Sequence, residues 1–394
     1  MTLRFLTAGE SHGPALTVIL EGLPAGLPIT EDIINHELER RQMGFGAGGR
    51  MKIEHDRAQI LSGVMDGLTT GAPIALLIEN SDHSRWKGKS VNAFTTPRPG
   101  HADLTGAVKY GFDDLRPALE RASARETAAR VAMGALCKAL LSEFDISVGG
   151  YVRAIAEITA DLESIPLEQR AELAEANDVR CPDETTAESM RLRIRQVMDE
   201  RDTLGGIIEL AAFGLPVGLG SYIQWDKRLD GRLGAAMLSI PAIKGVEIGS
   251  AFENAGLPGT RVHDAILLKN DEIIRKTNHA GGVEGGISNG QPLLLRLAMK
   301  PIATTLSPQR TVDLASGQET DTVYERSDFC PVPRAVPVAE AMLAFVLADA
   351  LLEKLGGDSL SELKPRFAHL RKAVLKDLPM AGGQIVFWPD QEPL

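Results

Sequence analysis

Short runs of alternating or continuous apolar residues recur along the chain and predict strands at residues 3–7, 15–20, 74–78, 206–212, 237–240 and 293–298. Between them the apolar period lengthens to that of a helix. Thr30 before Glu31 and Asp32 has the form of an N-cap with an acidic first turn, and predicts a helix over 33–41. Apolar positions across 118–144, among them Val131, Ala135, Leu136 and Leu140, predict one long helix. The longest apolar stretch, 335–355, carries Glu340, Asp349 and Glu353, and so reads as a core helix and not a membrane span. Pro337 is placed to open that helix and Gly356-Gly357 to close it.

Residues 161–202 break the pattern. They are rich in Glu, Arg and Ala, and predict exposed helices joined at the turn Cys181-Pro182-Asp183: a charged excursion from the core, not a separate domain. No low-complexity linker divides the chain and no fixed-period repeat appears. Strands and helices mix without the regular alternation of a doubly wound sheet, so the expected class is α+β, in a single domain over 1–394.

Composition narrows the partners. The 394 residues are 44% hydrophobic and carry a formal net charge of −11, which argues against general nucleic-acid or membrane-surface binding. Aromatics at 5% leave few platforms for stacking bases. Cys137, Cys181 and Cys330 are widely spaced, with no metal-ligand or disulfide pattern; the expectation is reduced thiols in a cytoplasmic protein without a bound metal. The N-terminus lacks the cationic-then-apolar order of a secretory signal.

Against that acidic background, cationic and Gly-bearing clusters stand out. Gly9-Glu10-Ser11-His12-Gly13 follows the first strand and presents a histidine, a proton donor near neutral pH, on a tight loop. Arg40-Arg41 runs into a Gly-rich loop, residues 44–49, that ends at Arg50; Gly admits close backbone approach and Arg grips phosphate or carboxylate through parallel bonds. No Lys-Ser or Lys-Thr follows the glycines, so this is not a Walker loop. Pro97-Arg98-Pro99-Gly100-His101-Ala102-Asp103 stiffens an Arg and a His between prolines. Arg121 and Arg125 stand four apart and are expected on one helix face, flanked by Ala122 and Ser123, with Glu120 and Glu126 available for surface ion pairs. Farther on come 239–247, the glycine-dense 281–290, Lys300-Pro301-Ile302-Ala303-Thr304-Thr305 and Glu325-Arg326-Ser327-Asp328. Their combination points to a polyanionic ligand plus a phosphate-bearing cofactor.

Those motifs, in this order and over essentially the whole length, closely resemble the chorismate synthase family. The resemblance implies a layered fold of helices and antiparallel sheets, assembled as a homotetramer. It implies a 1,4-anti elimination of phosphate from 5-enolpyruvylshikimate 3-phosphate, dependent on reduced FMN, as the last step of the shikimate pathway. By position, His12 is similar to the histidine that protonates the departing phosphate, His101 to the one set against the reduced flavin, and Asp328 to the carboxylate that handles the proton passing through the flavin. Arg41, Arg50, Arg98, Arg125 and Arg326 match the substrate-binding arginines. Arg121, Ala122, Ser123, Pro241, Ala242, Gly285, Lys300, Pro301, Ile302, Ala303, Thr304 and Arg326 match FMN contacts. The flavin is reduced either through an NADPH site of the chain's own or by an external flavin reductase. Ala47 stands where many members carry Arg, Phe45 where Tyr is common, Ala122 for Ser, and Pro241 for Asn or Gln, which leaves position 241 only a carbonyl to offer.

Overall fold

The computed structural model describes residues 2–47, 55–323 and 328–387. Arg50 and Arg326 lie outside the described residues.

Two antiparallel sheets form the outer layers. The first holds β1 (Arg4–Ala8), β2 (Ala15–Glu21), β3 (Ala58–Ser62) and β4 (Ile74–Glu79), in the order β1-β2-β4-β3. The second holds β5 (Ser147–Ile155), β6 (Ile158–Thr159), β7 (Gly206–Phe213), β8 (Ile243–Ile248) and β9 (Leu293–Met299), in the order β8-β9-β7-β5-β6. The helices that build the layers and the site include α1 (Glu31–Gln42), α2 (Asp103–Tyr110), α3 (Arg116–Ala122), α4 (Thr127–Ser142), α5 (Leu167–Glu175), α6 (Glu184–Glu200), α7 (Leu229–Leu238) and α8 (Val332–Leu355).

Strand alternation decides which face is inside. Leu16, Val18 and Leu20 of β2 and Ile74, Leu76 and Ile78 of β4 all turn inward onto α4. α8 packs on the inner face of β5 and β7, and α4 lies on α8, giving a sheet–helix–helix–sheet sandwich with one continuous apolar core. α8 is long and apolar enough to cross a membrane by length and composition, yet 89% of its most apolar window is buried within the fold. Its closeness to α4 depends on Gly134: a Cβ there would stand 2.2 Å from the Cβ of Ala341.

Five readings of the sequence change. Residues 237–240 are the end of α7 and a turn, not a strand; Leu229, Leu233 and Met237 recur at helical spacing and are buried together. The predicted helix over 118–144 is broken at Ser123, whose extended backbone (φ −63°, ψ 141°) and hydroxyl, accepting Arg125 N–H, start a separate turn. Arg121 and Arg125 therefore do not share a helix face. Pro337 lies inside α8, which begins at Val332; the Pro333 carbonyl, left without its helical donor, accepts from Arg180 Nη1 at 2.7 Å. Thr30 does occupy the N-cap position of α1, but its side chain makes no capping bond. The 161–202 excursion is half-buried, since Ala174, Val179, Cys181, Met190 and Ile194 join the main core while its charged faces look outward.

Candidate functional site

β1 and β2 meet so closely that Gly9 adopts φ +110°, and a Cβ there would come within 2.4 Å of the Ala15 carbonyl. The turn throws residues 10–13 out beyond the sheet end. Asn80, just past β4, then fastens the loop: its Nδ2 donates to the carbonyls of Glu10 (3.1 Å) and Gly13 (2.8 Å). Glu120, on α3, completes the hold. Its Oε2 accepts from His12 N–H and its Oε1 contacts His12 Nδ1, both at 2.7 Å, while the Trp86 ring lies 4.7 Å from the imidazole. His83 Nδ1 meets the His12 carbonyl at 3.0 Å.

Asn80 also links this loop to the arginines. Its Oδ1 accepts from Arg125 Nε at 2.8 Å, and Arg125 Nη1 donates to Asp56 Oδ1 at 2.5 Å. Asp56 Oδ2 takes Arg41 Nη1 at 3.3 Å, and Arg41 donates further to Thr127 Oγ1 and the Ala124 carbonyl. Arg334 Nε reaches the Arg41 carbonyl, and its Nη1 pairs with Asp328 at 2.5 Å. His12, Arg125, Arg41 and Asp328 thus belong to one connected network. It is crowded with cations. Burial pushes the Arg41 guanidinium down; Asp56 opposes this, Arg334 and Arg125 add to it, and the balance is about 9, still cationic at neutral pH. Asp56 pairs with both Arg41 and Arg125, and Asp328 with Arg334.

A second group forms around Asp103, whose side chain is fully buried at the start of α2. It accepts from Arg98 Nε (2.8 Å) and Nη2 (3.0 Å) and pairs with His101 Nδ1 at 2.6 Å. Burial works against this carboxylate's charge, but the bonds from His101 and Arg98 hold it far below the usual range. Arg98 Nη1 donates to Thr304 Oγ1, and Lys300 Nζ to the Gly100 carbonyl at 2.7 Å, so the 97–103 and 300–304 segments meet. Arg98 therefore sits with His101 and Asp103.

The positions matched to FMN are connected by a longer path. Arg121 donates to the Thr7 carbonyl and hydroxyl, Thr7 Oγ1 to Glu126, and Arg130 bridges Glu126 to Ser239. Beyond Ser239 come Pro241 and Ala242; Ala242, at φ +68°, accepts from Lys300 N–H. Arg121, Ala122, Ser123, Pro241, Ala242 and Lys300 through Thr304 thus follow one continuous path. Gly285 does not join it. It stands beside the first turn of α7, and Pro241 lies beyond the last, about 15 Å of helix away. Gly44 through Ala47 line a different cleft, of about 600 Å³, with Glu175 through Asp178, Arg180 and Met198.

Several residues in these networks escaped the sequence reading. Asp103 stood unassigned two positions after His101, and Glu120 was given only a surface ion pair. Asp56, Asn80 and Arg334 carried no local signal, because folding alone brings them to the site.

Fold and site together define an enzyme that handles a small polyanion: a histidine held by a carboxylate, beside a cation-rich buried cluster. The comparisons agree. The family profile described as chorismate synthase matches residues 3–352. A chorismate synthase of Syntrophotalea carbinolica is 52% identical over 372 residues, covering 92% of this chain and 96% of that one. Another, of Aquifex aeolicus, is 53% identical over 385 residues, with coverage of 93% and 96%. A crystal structure of chorismate synthase superposes with a TM-score of 0.77 at 46% identity, covering 93% of this chain and 97% of that one. The chain belongs to the chorismate synthase family. Its reaction class is carbon–oxygen lysis with loss of phosphate, in aromatic amino-acid biosynthesis, on a small-molecule substrate and with a reduced flavin.

Proposed function

We propose that this chain converts 5-enolpyruvylshikimate 3-phosphate to chorismate with His12 as the acid, His101 beside reduced FMN, and Asp328 as the final proton acceptor. The observation that carries this reading is the Asn80 bridge, which ties His12 to the Arg125–Asp56–Arg41 cluster. The substrate carries two carboxylates and a phosphate, about −3.5 to −4 in charge if the phosphate contributes about −1.5 to −2. Arg41 and Arg125 supply cations for it, and Arg50 and Arg326 are assigned the same role on the family resemblance. Each guanidinium has five donors, and Arg41 spends three of them on Thr127, Asp56 and the Ala124 carbonyl. Arg98, placed with His101, serves substrate from the second group.

His12 protonates the phosphate oxygen as the carbon–oxygen bond opens, which suits a leaving group that is itself a weak base near neutral pH. The ring loses a proton in the same turnover, and Asp328, held by Arg334, takes it up. Reduced FMN, when bound, supplies electron density to the allylic system during that cleavage. The residues assigned to it fit its chemistry: Arg121 and Lys300 are cations for its phosphate or pyrimidine edge, and the Pro241, Ala242 and Ile302–Thr304 backbone offers ring contacts. Gly285 and Arg326 enter this set on the family resemblance. Arg98, anchored with His101 by Asp103, would set positive charge against an anionic ring.

A single domain, a homotetramer and a cytoplasmic location complete the proposal, the tetramer to be checked by light scattering. The direct test is anaerobic incubation with dithionite-reduced FMN: folded protein that forms no chorismate contradicts it. NADPH-driven formation without an added reductase would place flavin reduction on this chain; its absence would assign that step to an external flavin reductase.

A further inference from the structure

The grip of Glu120 on His12 has more in it than an ion pair. Glu120 reaches the loop from α3 and closes two bonds at once, one to the His12 backbone and one to its ring, both 2.7 Å. The Glu120 backbone carbonyl also accepts from Ser11 N–H, so the histidine and its neighbour are both fixed to this turn of α3. Side-chain exposure is 20% for His12 and 13% for Glu120, so the pair is screened yet still open on one side.

Burial opposes the Glu120 charge, but the His12 ring and backbone N–H bonds, with the nearby charges of His12 and Arg116, keep it below the usual carboxylate range. An ionised carboxylate only accepts hydrogen bonds, so Nδ1 must carry a proton. Among the described residues Nε2 makes no hydrogen bond. Trp86 restrains the ring from one side.

We infer that Glu120 is a positioning residue for the elimination, fixing His12 so that its Nε2–H, and not Nδ1–H, faces the phosphate. The inference rests on the acid role proposed for His12. In the protonated imidazole both nitrogens carry hydrogen. Nε2 passes its proton to a phosphate oxygen, and the ring is left neutral with its remaining proton on Nδ1, the tautomer that the Glu120 carboxylate accepts. Without that carboxylate on Nδ1 the ring is free to present either nitrogen.

The test is a double-mutant cycle on the full-length enzyme, assayed anaerobically with reduced FMN. Glu120→Gln keeps the length and can still hydrogen-bond but lacks the charge; it should lower kcat about 30-fold or more, leaving substrate KM within about threefold. Placed in a His12→Ala background, the same change should cost less than about twofold, because its effect runs through the imidazole. Glu120→Ala repeats the measurement without the amide, and reduced-FMN binding confirms that each variant is folded. A wild-type rate in Glu120→Gln beside an impaired His12→Ala overturns the inference alone. So does a full, additive loss in the double variant. A wild-type rate in His12→Ala instead overturns the acid role beneath it.

Discussion

At the scale of single residues, the site is built from carboxylates that hold cationic or protonatable partners in place. Asp103 shows it most plainly: one buried carboxylate sets both Arg98 and His101. Asp103→Asn would leave Arg98 without its counter-charge and turn an amide N–H toward donors. The expected cost is roughly 3 kcal/mol of stability, with reduced-FMN affinity falling at least about tenfold. Thermal denaturation and flavin fluorescence titration measure the two effects; unchanged values in both would contradict the arrangement. Much of this scale was legible in the sequence. His12, Arg41, Arg125 and Asp328 were singled out by type and neighbourhood, and they do fall in one network. What was not legible was the set of partners. Asp56 and Asn80 come from 44 and 68 positions beyond His12, and nothing in the local sequence distinguishes these buried residues from exposed polar ones.

At the scale of elements, strands and helix ends followed local rules except where a side chain or a neighbour overruled them. Five strands began within a residue of their predicted starts, because alternation on a half-buried sheet is a strong signal. The 237–240 run failed because a short apolar stretch fits a helix end as well as a strand. The break at Ser123 failed because a hydroxyl capping one N–H is a small signal inside a long apolar pattern. Pro337 misled because the carbonyl it strands is satisfied by Arg180, 157 positions earlier in the chain. The α4–α8 crossing yields a sharp prediction. Gly134→Ala would place a methyl 2.2 Å from Ala341 Cβ and force the central helices apart. A loss of about 2 kcal/mol or more is expected in chemical denaturation, and an unchanged midpoint would show that the layers are not in contact there.

At the scale of the whole molecule, burying charge in the helical layers makes stability depend on pH. Glu340, on α8, is 1% exposed and pairs with Arg40 and Lys138. Burial alone would raise it, but Lys138 and Arg40 bring its pKa down to about 2 from the ordinary 4.5. A carboxylate depressed on folding adds stability above its unfolded value, and that contribution disappears as pH falls from about 4.5 toward 2. Acid unfolding should therefore steepen in that window. Glu340→Gln should flatten it while lowering stability at pH 7 by roughly 3 kcal/mol, since the cations lose their partner. Identical acid profiles for the two proteins would contradict this reading.

The central claim is that the loop histidine serves the phosphate that leaves. Single-turnover phosphate release, measured anaerobically with saturating reduced FMN, tests it most directly. His12→Ala should bind flavin normally and release phosphate at least about 100-fold more slowly than the parent protein. Release at the parent rate, with flavin bound, would mean that another group protonates the leaving phosphate.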